Sequence, residues 1–209
     1  MATIPPQSTS ASEPQPAWDI ALLFPSQGDW SEGEYLGLET NRLVELVDGN
    51  LEVLPMPTIM HQLILEFLFD VLRDFVKGQN LGKVYLAPLP VYIRLKTYRE
   101  PDLVFVKSEH RGQPGDKYLS GADLVIEIVS PDDKSQRRDH QEKRGDYAER
   151  GIAEYWIVDP QRERITVLAL DGERYRVHGE FSPDQQASSL LLTGFSVDVA
   201  AAFAAGRNN

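Results

Sequence analysis

The sequence predicts a mixed α/β fold (α+β mixed), with a mixed central β-sheet flanked by helices. Three observations carry this prediction: one long amphipathic helical stretch, strand-like runs on both sides of it, and a polar helical stretch leading into another buried strand.

The elements follow in chain order. Residues 1–17, within MATIPPQSTSASEPQPAWD, are rich in Pro, Ser, Thr and Gln and carry neither a basic region nor an apolar stretch. That composition predicts a disordered tail and not a secretory signal. Residues 18–209 are expected to form a single domain. GDWSEGEYLGLE supports a short helix at most. RLVELVDGNLEVLP predicts a hairpin, because two β-rich runs flank Asp48-Gly49. IMHQLILEFLFDVLRDFVKG has apolar residues at 60, 63, 64, 67, 68, 71, 72, 75 and 76, the spacing of a helix with a wide buried face. Gly78 is its expected terminator. KVYLA, PVYIRL, PDLVFV and DLVIEIV then read as strands. QRRDHQEKRGDYAERG reads as a polar helix stopped by Gly151. EYWIVDP is a buried strand, and ERITVLAL, RYRVHG and FSVDVAAAF finish the chain.

Composition narrows the function classes. The chain has 209 residues, 42% apolar and 25% charged, enough for a moderate hydrophobic core. It has no cysteine, which excludes disulfides and thiolate metal sites and suits a reducing, cytoplasmic location. VDVAAAFAA is too short for a membrane span and carries Asp198, so no membrane partner is expected. The net charge of −11 argues against a broad electropositive nucleic-acid surface, leaving room for a local basic groove beside an acidic site.

Carboxylates in apolar strands mark the candidate site. Strand alternation puts Asp102 on one face with Val104 and Val106, and Glu127 on one face with Val125 and Val129. If the two strands are neighbours, Asp102 and Glu127 converge. Two such carboxylates repel unless a cation lies between them, and oxygen ligands select a hard ion such as Mg²⁺ or Mn²⁺. The plainer alternative is a turn cap at Asp102 and a buried salt bridge at Glu127. Glu45, His61, Asp139 and Tyr147 are accessory candidates. Glu45 serves equally well as an ion-pair partner on a hairpin, and His61 as a satisfied polar residue near a helix start. Asp139, Lys143 and Tyr147 recur every four residues and share a helix face. That face either carries an exposed Asp–Lys pair or covers the acid pair, with Lys143 reaching a phosphate.

EPD, VIEIVSP, D-x-x-x-K-x-x-x-Y and GIAEYWIVDP together resemble a bacterial restriction-endonuclease family of the PD-(D/E)XK nuclease superfamily. RLVELVDGNLEVLPMPTIMHQ resembles its N-terminal signature and LTGFSVDVAAAF its C-terminal end, so the likeness runs over residues 30–205. The resemblance implies a restriction-endonuclease-like core and metal-dependent hydrolysis of DNA. It implies Asp102 and Glu127 as metal ligands, with Asp102, Glu127 and Lys143 as the catalytic set. The superfamily's lysine position, two residues after the glutamate, is Val129 here, so the lysine is expected from the following helix at Lys143. DNA is the expected partner, and a homodimer is the expected way to supply two sites for double-strand cutting. The alternative is a catalytically silent nucleic-acid-binding or protein-interaction module on the same fold. A phosphatase-like hydrolase of small substrates has no motif behind it.

Overall fold

A computed structural model of the chain describes residues 24–40, 42–110 and 117–207. The tail expected at residues 1–17 lies outside the described residues. Helix α1 (Glu32–Leu36) is a single turn whose N-cap Ser31 forms a capping box with Glu34. Strands β1 (Val44–Val47) and β2 (Asn50–Val53) make the expected hairpin. Asp48 and Gly49, with φ of 49° and 78°, fit the left-handed turn that an Asp-Gly pair favours. A side chain at Gly49 would also collide with the Gly28 carbonyl.

Helix α2 (Ile59–Gly78) is capped by Thr58, whose side chain accepts from the His61 backbone N–H. The helix runs through Gly78, and the left-handed residue is instead Asn80, at φ 54°. Asn is one of the few residues that enters that region readily, so it stops the helix two residues later than the glycine suggested.

Six strands form the main sheet: β3 (Gly82–Leu86), β6 (Leu103–Lys107), β7 (Leu124–Ile128), β8 (Glu154–Asp159), β9 (Arg164–Asp171) and β10 (Arg174–Phe181). Their spatial order is β10-β9-β8-β7-β6-β3, with β7 and β8 the parallel pair and the other neighbours antiparallel. A parallel pair needs a crossover, and here it is helical. α3 (Asp133–Arg137), a π-helical turn over Arg138–Glu142 and α4 (Lys143–Glu149) together make it. Gly151, at φ 78°, sits where the stop was expected.

A second sheet joins the hairpin to β4 (Val91–Arg94) and β5 (Thr97–Arg99), in the order β2-β1-β5-β4. β11 (Gln186–Ser188) and β12 (Ser196–Asp198) form a small ribbon before α5 (Val199–Ala205).

Each face of the main sheet carries its own core. On one, Leu103, Phe105, Leu124, Ile126 and Ile128 pack under α2 and α5. On the other, Val104, Val106, Val125 and Val129 pack with Tyr147, Tyr155 and Ile93. Both strands thus divide their side chains as their alternation predicts. Ile64, Leu68 and Leu72 of α2 are fully buried, each contributing roughly 1.5–3 kcal/mol.

Candidate active site

β6 and β7 pair antiparallel with Leu103 opposite Ile126 and Val104 opposite Val125. Continuing that register by one residue sets Asp102 opposite Glu127. Pro101 ends the preceding segment and the sheet begins just after, so Asp102 stands at a strand mouth where its carboxylate meets backbone. Asp102 Oδ2 accepts from the Ile128 N–H at 2.7 Å and contacts His61 Nε2 at 3.2 Å. The first turn of α2 therefore delivers His61 to the carboxylate, a closer association than its place near a helix start suggested.

The crossover supplies the other half. Lys143 is 1% exposed, with Nζ 2.7 Å from Glu127 Oε1, 3.1 Å from Glu45 Oε1 and 3.7 Å from Asp139 Oδ1. Tyr147, one turn on, donates its hydroxyl to the same Glu127 oxygen at 2.5 Å. The four-residue spacing of Asp139, Lys143 and Tyr147 thus points inward, and the exposed-pair alternative is excluded. Burial raises the Glu127 pKa, against the opposing pull of Lys143. Burial also works against the charge on Lys143, but Glu127, Glu45 and Asp139 outweigh it and hold its pKa above the usual lysine value.

Glu45 is fully buried and does not line the open cavity. Its Oε1 accepts from the Glu100 N–H at 2.9 Å, and its Oε2 from Arg99 Nη1 at 2.7 Å. Burial would raise its pKa; Lys143 and Arg99 overcome this and lower it to about 2. Glu45 thus takes the ion-pair role, positioning Lys143 from behind. Arg99 extends the network through two contacts to Asp146 Oδ2, at 2.8 and 2.7 Å.

A cavity of about 360 Å³ opens onto this arrangement, with Asp102, Glu127, Asp139, Lys143, Arg138 and Glu100 among its walls. Arg138 is 6% exposed and contacts Asp139 Oδ1 at 3.3 Å. Among the described residues, two buried atoms of cavity-lining side chains have no hydrogen-bond partner, Glu100 Oε2 and His61 Nδ1. Burial, reinforced by the Glu45 charge, raises the Glu100 pKa to about 7. Glu100, Arg99 and Arg138 were not singled out as site residues from sequence. For Arg99 no apolar run gave a signal, because KTYRE is short and polar, unlike the stretch around Glu127.

The donor set fits a hard divalent cation. The carboxyl groups of Glu100, Asp102, Glu127 and Asp139 line one cavity, and one Glu100 oxygen has no partner among the described residues. Among the described residues no three acidic or histidine side chains are already gathered as a metal cluster. Lys143 neutralises Glu127 in this arrangement.

The family model Uma2, described as "Putative restriction endonuclease", matches residues 33–200. Among solved structures, one described as a "putative nuclease belonging to DUF820" from Anabaena variabilis superposes with a TM-score of 0.70. It is 20% identical, and the likeness covers 84% of this chain and 98% of the other. It supports the fold: a mixed sheet with flanking helices. No curated protein matches the chain significantly. Among the described residues no helix is long and apolar enough to cross a membrane.

Proposed function

The chain belongs to the Uma2 putative restriction endonuclease family, and from that premise we propose that it hydrolyses DNA phosphodiester bonds with a divalent cation, Mg²⁺ or Mn²⁺. The observation that carries the proposal is the buried Lys143 beside Glu127, across the strand pair from Asp102, on the wall of one cavity. Asp102 and Glu127 would hold the cation. When bound, such an ion activates water and offsets charge on the scissile phosphate.

The chain's own groups do the rest. The Ile128 N–H and His61 hold the Asp102 carboxylate in one orientation on the cavity wall. Glu45, itself clamped by Arg99, holds the Lys143 ammonium in place and charged. Lys143 and Arg138 then present two buried cations to a phosphate entering between them, where low polarity strengthens each interaction. Tyr147 keeps Glu127 aimed by a hydrogen bond that its raised pKa preserves in the donating form. An overall charge of −11 is compatible with this, because the phosphate meets the local pair of cations and not the average surface.

The test is cleavage of supercoiled plasmid and of single-stranded DNA in Mg²⁺ or Mn²⁺, with EDTA as control. Metal-dependent nicks support the proposal. Binding without cleavage in any metal would instead favour a silent nucleic-acid-binding module on this fold.

A further inference from the structure

A second cavity, of about 400 Å³, adjoins the acid site at His61. It is framed by the start of α2, the loop after β7 and the turn between β8 and β9. Its walls include Val129, Pro131, Pro160 and Met60, with Ser130 and Gln161 on the polar side. The two cavities share His61 and Ser130, so they adjoin. His61 binds Asp102 through Nε2, while its Nδ1 is buried without a partner among the described residues.

A ligand spanning this pair would present an anionic end to Lys143 and Arg138 and a largely apolar end, with some polar atoms, to the second cavity. A nucleotide has that form. Resting on the nuclease reading above, we propose that the second cavity receives the base of the nucleotide beside the scissile phosphate. Val129, Pro131 and Pro160 would cover the base faces. The Ser130 hydroxyl would meet its edge; among the described residues no hydrogen bond occupies that hydroxyl. A base stacked and paired inside a duplex cannot enter a recess of this kind. The substrate is therefore DNA with an unpaired base: a single strand, a frayed end or an extruded nucleotide.

Fluorescence anisotropy in Ca²⁺ tests this with three labelled probes of equal length. They are an oligothymidylate, a fully abasic tetrahydrofuran oligomer with the same phosphates, and an oligothymidylate–oligodeoxyadenylate duplex. The wild type is expected to bind the oligothymidylate about tenfold or more tighter than the abasic oligomer, the scale of one stacked base, and tighter than the duplex. Ser130→Leu, which fills the cavity, should bring the ratio to the abasic oligomer below about twofold. Gln161→Leu, on an exposed turn, makes the same test should Ser130→Leu fail to fold by circular dichroism. A wild-type ratio near one overturns the proposal, as does a ratio unchanged in both folded variants. Cleavage of the oligothymidylate in Mn²⁺ separates the two readings. Cleavage with a ratio near one removes the base site and leaves the nuclease; a tenfold ratio without cleavage does the reverse.

Discussion

Glu45→Gln perturbs the group on which the site's electrostatics turn, and its effect can be worked from the structure. The Glu45 carboxylate touches Lys143 and Arg99 and has a pKa lowered from 4.5 to about 2. By linkage that difference is worth about 3 kcal/mol, in the range for breaking one side of a buried ion pair. The sign is fixed by the depressed value. The contribution is fully present above the unfolded pKa near 4.5 and is lost as pH falls through the folded value near 2. Urea unfolding of wild type and Glu45→Gln between pH 7 and pH 2.5 isolates it, because the other carboxylates titrate in both proteins. Glu45→Gln should be about 3 kcal/mol less stable at pH 7, and the gap should close steadily below pH 4.5. A gap that is absent at pH 7, or that stays constant down to pH 2.5, would refute the reasoning.

Lys143→Ala should slow cleavage by about 100-fold or more in single-turnover assays while DNA affinity changes much less, because the lost charge acts on the reacting phosphate. Mg²⁺ or Mn²⁺ should raise the thermal midpoint of the wild type by mass action, and Glu127→Gln should lose that increment in differential scanning fluorimetry. Leu68→Ala, fully buried under the main sheet, should cost about 2–5 kcal/mol in chemical denaturation without touching the site.

Much of this was legible because alternation and helical spacing act locally. Asp102 and Glu127 were set on matching strand faces by period two alone, and the antiparallel pairing of β6 and β7 brought those faces together. Lys143 and Tyr147 followed from period four, although spacing could not say whether their face pointed to solvent or to the sheet. The ambiguity at Glu45 had the same origin. Whether a strand carboxylate meets a cation depends on Arg99 and Lys143, which lie 54 and 98 residues away along the sequence. Strand β5 escaped prediction because KTYRE is short and polar; its arginine is buried by ion pairs, which leave no hydrophobic pattern. Asn80 displaced Gly78 as the helix stop because either residue can enter the left-handed region, and the spacing does not choose between them.

The most direct test of the central claim is the rate of DNA nicking by wild type and Asp102→Asn at equal protein, DNA and Mn²⁺ concentrations. Asparagine keeps the shape and can still accept from the Ile128 N–H, so the fold should hold, but the charge needed to bind the cation is gone. Nicking by wild type that disappears in Asp102→Asn and in EDTA is the expected result. Asp102→Asn cutting as fast as wild type would show that the carboxylates of this cavity do not hold the catalytic metal.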